Sequence, residues 1–249
     1  LETIMEPQNQ LIPATMDQEE VGYLFEQYNL ISAPVVDAAE RLVGMITVDD
    51  IVHVVHAESN EDMLALGGVR EDGLSDNVFV TVRRRFSWLL VNLMTAVLAS
   101  IVIALFDEEI ETLVALAVLM PIIASMGGNA GTQTLTVAVR ALAMKDLTAS
   151  NAARLIGREA LVGGVNGLLF AIIMGLFAGL WFQSGALGMV VAGAMIINLL
   201  CAGLAGILVP LSLQKAGADP ALASTVFVTT VTDVVGFFVF LGLAATVLF

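Results

Sequence analysis

Residues 227 to 238 read FVTTVTDVVGFF, where one carboxylate, Asp233, stands among apolar and small hydroxyl side chains. Thr225, Thr229, Asp233 and Gly236 fall at i, i+4, i+8 and i+11, which on a helix is a single face with the acid near its middle. A second stretch, PIIASMGGNAGTQTLTVAVRA (121–141), sets Asn129, Thr132, Gln133, Thr136 and Arg140 three or four apart, a polar stripe on an otherwise apolar helix. Pro121 lacks an N–H and is placed to kink that helix just ahead of the stripe, freeing a carbonyl. An ionisable residue deep in an apolar span is costly and points to function. Two polar faces in one bundle predict a shared hydrated cavity.

The residue types narrow the chemistry. Aspartyl proteolysis in a membrane needs two carboxylates at one site, yet Asp233 and the near-terminal Glu159 are the only acids within apolar spans. A serine hydrolase needs a base, and both histidines lie outside those spans, in HVVH (53–56), which reads as an ordinary helix surface rather than a metal pair. Cys201 is alone in an apolar stretch and reads as packing, with no disulfide framework inside the chain. The expectation is therefore not an enzyme but a path for a cation. A hard divalent ion such as Mg²⁺ keeps several waters and is held by one or two carboxylates, so one Asp with amide, hydroxyl and carbonyl oxygens suits it. Were this helix at the axis of a two-fold dimer, two Asp233 side chains would meet and double the field.

The elements that must position these residues are apolar spans. With 58% hydrophobic and 14% charged residues and a mean hydropathy of +0.90, the chain is far more apolar than a soluble domain. Five runs are long enough to cross about 30 Å of hydrocarbon: 86–106, 112–142, 157–183, 186–213 and 222–248. Glycines four apart in GGNAG (127–131), GGVNG (163–167) and GLFAG (175–179) predict close helix approach. Arg83, Arg84, Arg85, Arg140, Lys145, Arg154, Arg158 and Lys215 all fall on one side of these spans. That bias predicts a cytoplasmic N-terminus and a C-terminus outside.

The charge is as uneven as the hydropathy. Residues 1 to 76 hold 16 acids against only Arg41 and Arg70, a net of −14, while the remainder is neutral. So acidic a segment should repel nucleic acid and anionic lipid and attract cations or basic partners. The opening LETIMEPQ has neither an initiator Met nor a basic n-region, and reads as an excised fragment rather than a signal peptide. Between residues 11 and 55 the order is a short apolar LIPATM, an amphipathic helix opened by Asp17, two β-rich stretches SAPVVD and RLVGMIT, and a helix beginning VDDIVHVV.

The run APVVD…LVGMITVDDIV resembles a CBS domain, a module that normally works in pairs and of which one full copy is visible. Gly44, Thr47 and Asp50 match the Gly-x-x-Thr-x-x-Asp pattern that in some CBS domains holds an adenosine ribose, which would make Asp50 an ATP contact. Together with PIIASMGGNAGTQTLTVAVRALA and GADPALAS…VTTVTDVVG, the chain resembles the MgtE family of magnesium channels over essentially its whole length. The expected fold class is a mainly α membrane protein: a CBS α/β domain (1–62), a connecting segment (63–85) and a five-helix transmembrane domain (86–249).

The resemblance implies a homodimer in the cell (inner) membrane whose second and fifth membrane helices line a central pore. Its Mg²⁺ site would fall on Asp233 and the backbone near Thr229, its narrow cytoplasmic region on Asn129, and its cytoplasmic vestibule near Asp219. It also implies gating by cytoplasmic Mg²⁺ held by Asp49, Asp50, Glu58, Glu61 and Asp62 against a connecting helix at 76–88. The family's N-terminal helical domain and first CBS copy have no counterpart in these residues. STVF (224–227) stands where the family has Asn or Gly followed by Pro. Two further readings stay open: an ion-coupled secondary transporter of divalent cations using Asp233, and a non-transporting CBS membrane sensor.

Overall fold

In the computed structural model, residues 10–69, 77–147 and 151–249 are described, side chains of Leu222 and Ala223 aside. The LETIMEPQ opening, Arg70 and the start of the expected connecting helix at Asp76 lie outside them. The chain divides into two compact units, Leu1–Met63 and Leu64–Phe249.

The first unit is a three-stranded sheet with helices. Strand β1 (Ile12–Pro13) pairs in parallel with β2 (Ser32–Val36), which pairs antiparallel with β3 (Leu42–Thr47), giving the order β1-β2-β3. Helix α1 (Gln18–Tyr28) starts where its sequence predicts, the Asp17 carboxylate accepting the Glu19 N–H, and stops at Asn29 in the left-handed conformation. Helix α2 (Val48–Leu66) follows β3. Ile12, Val21, Phe25, Ala33 and Ile51 close the small core. On β3, Leu42, Val43 and Met45 remain exposed, so this edge of the sheet is apolar and uncovered in one chain.

The second unit contains five helices long and apolar enough to cross a membrane: α3 (Val78–Ala104), α5 (Ala115–Ala143), α6 (Ala152–Trp181), α7 (Gly185–Lys215) and α8 (Pro220–Val247). A six-residue helix, α4 (Asp107–Thr112), built from the acidic DEEIET, joins α3 to α5. The five spans lie where hydropathy places them, with one difference. The stretch read as the end of a connecting helix and the first span form one uninterrupted α3, about 40 Å long at 1.5 Å per residue. Phe79, Val80, Val82 and Phe86 explain this, because good helix formers carry the turn ahead of the Arg83–Arg85 cluster straight into the apolar run, with Asn77 capping Phe79. Pro121 likewise sits inside a continuous α5 rather than ending it.

Helix α7 is the centre of the unit, packed against α5, α6 and α8, while α3 packs on α8. The core between them comprises Leu116, Leu119 and Ile123 of α5, Val190, Val191 and Met195 of α7, and Phe240 and Leu241 of α8. Helices α6 and α7 run antiparallel with their backbones almost touching. A Cβ at Gly163 would lie 2.7 Å from the Leu199 carbonyl oxygen, and one at Gly188 would lie 2.6 Å from that of Gly175. Lipid offers no hydrophobic gain for pairing helices, so such backbone contact supplies the association.

Neighbouring glycines in GGVNG separate contact from propensity. Gly163→Ala forces its methyl into the α7 backbone and should cost about 1–3 kcal/mol. Gly164→Ala meets nothing within 4 Å and should be neutral or stabilising by roughly 0.5–1 kcal/mol. Thermal unfolding of the two variants in one detergent checks this, and equal midpoints would contradict the packing.

Candidate functional site

Helix α8 begins with a strong local signal: Asp219 Oδ1 accepts the Ala221 N–H at 2.8 Å and Pro220 occupies the first turn. Asp219 is thus committed on one oxygen to starting the helix that carries Asp233. Thr225, Thr229 and Asp233 follow along one half-buried face. The Thr229 hydroxyl donates to the carbonyls of Thr225 (3.0 Å) and Val226 (3.1 Å), and the Thr232 hydroxyl donates to that of Thr229 (2.9 Å). These back-bonds use the hydroxyl protons within α8 and leave oxygen lone pairs as acceptors. The Asp233 carboxylate, half-buried, has neither a hydrogen-bond donor nor a cationic partner among the described residues. A carboxylate kept out of bulk water without a counter-charge is an attractor for a cation.

Helix α5 sorts its residues by face. Gly127, Gly131, Thr134, Leu135 and Ala138 are buried, while Asn129, Thr132, Gln133, Thr136 and Arg140 are exposed on the opposite side. Gly131 must face inward, because a Cβ there would lie 2.6 Å from Val228 of α8. This fixes the rotation of α5 and turns its polar stripe to the surface of the protomer. The shared cavity expected from the two stripes is therefore not closed within one chain. No hydrogen bond among the described residues joins Asn129, Thr132, Gln133 or Thr136 to Thr225, Thr229 or Asp233.

Three polar contacts inside the membrane unit had no counterpart in the sequence reading. Thr134 donates to the buried Glu159 at 3.1 Å, tying α5 to α6. Asn198 of α7, fully buried, donates from Nδ2 to the Ile123 carbonyl of α5 at 2.9 Å. Thr225 donates to the Leu66 carbonyl at 2.9 Å, so a side chain on the Asp233 face caps a carbonyl left free at a helix C-terminus. The turn after Leu66 is tightly held, for Gly68 has φ +68° and a Cβ there would collide with the Trp88 indole of α3. Asn198 was legible in principle, as a lone amide in the apolar run MIINLLC.

The acids singled out in the soluble segment all lie on α2. Asp49 and Glu61 are exposed, and Glu58 accepts from Gln18 Nε2 at 2.6 Å. Asp50 Oδ2 accepts both the Thr47 N–H (3.0 Å) and the Thr47 hydroxyl (2.9 Å), a reciprocal cap at the start of α2. Among the described residues, no three His, Cys, Asp or Glu side chains converge as a metal site within the chain.

The membrane geometry has counterparts in known proteins. Residues 120–243 match the MgtE family, described as divalent cation transporters, and residues 1–57 match the CBS domain. By its membrane-spanning part the chain belongs to the MgtE family. A magnesium transporter MgtE of Enterococcus faecalis is 36% identical over 229 residues, covering 92% of this chain and 51% of that protein. One from Bacillus subtilis is 34% identical over 232 residues (93% and 51%), and one from Thermus thermophilus 34% over 248 (98% and 55%). The chain spans about half the length of these relatives.

In this MgtE-family chain the Asp50 cap carries a pH signature. The Thr47 backbone N–H, and then its hydroxyl, hold the Asp50 carboxyl below its ordinary range. A group whose pKa falls on folding stabilises above its unfolded pKa and loses that contribution as pH drops through the folded value. The first turn of α2 should therefore lose amide-exchange protection on acidification below the ordinary carboxylate range. Asp50→Asn should start less protected at neutral pH and show a flatter acid profile. Hydrogen exchange read at residues 48–51 measures both, and identical profiles would remove Asp50 from the cap.

Proposed function

We propose that this chain is the pore-forming part of a Mg²⁺ transporter of the channel type, importing the ion down its electrochemical gradient as a homodimer. The observation that carries the reading is the uncompensated, half-buried Asp233 on the face of α8 that also bears Thr225 and Thr229. The exposed α5 stripe supports the dimer, since amides, hydroxyls and Arg140 on a membrane helix call for cover other than lipid. With a second copy supplying that cover, Asn129, Thr132, Gln133 and Thr136 would line a hydrated path toward the paired Asp233 carboxylates. Threonine and amide oxygens then hold the water shell that Mg²⁺ gives up reluctantly.

The lysine and arginine bias supports a cytoplasmic N-terminus and a C-terminus outside. The acidic excess supports control by cytoplasmic Mg²⁺. Asp49, Glu58, Glu61 and Asp62 repel other acidic surfaces unless divalent ions screen them, so falling Mg²⁺ loosens a closed state. Exposed Leu42, Val43 and Met45 on the uncovered sheet edge support pairing of the CBS unit with another such unit. The Gly44, Thr47, Asp50 spacing supports an adenosine nucleotide there, with Asp50 Oδ1 left for a ribose hydroxyl because Oδ2 is taken by Thr47.

Asp233→Asn tests the pore. At roughly 5 Å, through one water layer, a carboxylate attracts a divalent ion by about 3 kcal/mol at an effective dielectric constant of about 40. Mg²⁺ flux into proteoliposomes at sub-saturating concentration should therefore fall between about tenfold and a hundredfold. Wild-type flux in the variant would sink the assignment. Flux that requires a proton or Na⁺ gradient would replace the channel with a coupled transporter, and no flux in the folded wild-type dimer would leave a sensor.

Neutralising Glu58, Glu61 and Asp62 together tests the gate. Conductance at high cytoplasmic Mg²⁺ should rise, with half-inhibition moving to about tenfold higher Mg²⁺ if one to two kcal/mol of ion binding is lost. An unmoved inhibition curve would exclude these acids from sensing.

A further inference from the structure

Asn198 is an amide in the middle of α7 whose side chain has no exposure at all. Its Nδ2 is spent on the Ile123 carbonyl, and its Oδ1 is the one buried side-chain oxygen or nitrogen without a hydrogen-bond partner among the described residues. Two glycines flank the carboxamide. A Cβ at Gly127 of α5 would lie 2.4 Å from Nδ2 and 3.0 Å from Oδ1, and one at Gly236 of α8 would lie 2.8 Å and 3.2 Å away. Glycine carries a hydrogen in the Cβ direction, so both α-carbons aim a C–H at the amide and offer Oδ1 only weak donors.

This arrangement is costly for mere packing. A leucine fills a similar volume and leaves no buried acceptor unsatisfied. The amide instead touches both helices that carry the proposed pathway, two residues from Asn129 on α5 and three from Asp233 on α8. We propose that Asn198 is a positioning residue that sets the spacing between α5 and α8, and through it the width of the path and the selectivity at Asp233. The amide acts as a gauge: its Nδ2 bond fixes its orientation on α5, and its flat face sets how closely Gly236 can approach. The proposal rests on the reading of the chain as a Mg²⁺ transporter.

The test uses the full chain in proteoliposomes, with Mg²⁺ and Ca²⁺ uptake measured side by side and thermal midpoints recorded. Asn198→Leu keeps the bulk and should keep the fold, yet lower the Mg²⁺/Ca²⁺ uptake ratio several-fold. Gly127→Ala drives a methyl into the amide and should cut Mg²⁺ uptake by about tenfold, and adding Asn198→Ser, which makes room, should recover most of that loss, as coupled neighbours do. The double variant keeps the question answerable if Asn198→Leu fails to fold. An uptake ratio unchanged within about twofold in Asn198→Leu and Asn198→Ser, or a Gly127→Ala defect that Asn198→Ser leaves in place, overturns the gauge. Wild-type protein without Mg²⁺ uptake overturns the transporter reading itself and this inference with it, a result distinct from transport whose selectivity ignores Asn198.

Discussion

Close backbone contact along α7 is the constraint on which the membrane unit depends. Hydrocarbon surrounds these helices as comfortably as leucine does, so association has to come from dispersion between backbones and from a few polar bonds. The glycines facing α7 provide the first and the Thr134–Glu159 and Asn198–Ile123 bonds the second. Because those contacts are made at less than side-chain distance, they fix both the rotation and the axial register of each helix. Rotation decides which residues of α5 and α8 remain available for an ion.

The face of α5 shows how this sorting works. Gly127, Gly131 and Ala138 can approach α7 and α8 as no larger residue could, so they occupy the inner side, and every polar residue at the complementary positions is driven outward. Asn129, Thr132, Gln133 and Thr136 are thus presented at the surface by residues that do no ion chemistry. A helix with that surface is not content in lipid, and the same packing that stabilises one protomer leaves it incomplete. On α8 the same logic places Gly236 against Asn198 and leaves Asp233 half-buried one turn away.

Much of this was legible in the sequence, and what was not has a common cause. Span positions followed from hydropathy runs, α1 and α8 announced themselves through Asp17 and Asp219, and Asp233 stood out as a charge among apolar residues. The Thr134–Glu159, Asn198–Ile123 and Thr225–Leu66 bonds join residues 25, 75 and 159 positions apart. Their existence depends on inter-helix register, which no local pattern encodes. The expected break between connecting helix and first span failed for a related reason. Charge marks where a helix leaves the hydrocarbon, not where its hydrogen bonding stops, so Arg83 to Arg85 interrupted the hydropathy without interrupting α3.

Thr225 shows how a departure from family pattern can be read physically. Asn or Gly followed by Pro at this point would loosen the first turns of the helix, by removing an N–H and relaxing φ. STVF instead keeps α8 regular from Pro220 onward, and the Thr225 hydroxyl turns to the Leu66 carbonyl. The end of α2 is gripped from two sides, by that bond and by Trp88 against Gly68, whose left-handed φ and lack of Cβ admit the indole. Ala65 and Leu66 then pack with Leu135, Val139, Ala221 and Val228. The start of the membrane unit is therefore part of the same packed body as the inner ends of α5 and α8. Displacing it would expose a helix-terminal carbonyl and open an apolar cluster at once, which makes its position a two-state matter rather than a graded one.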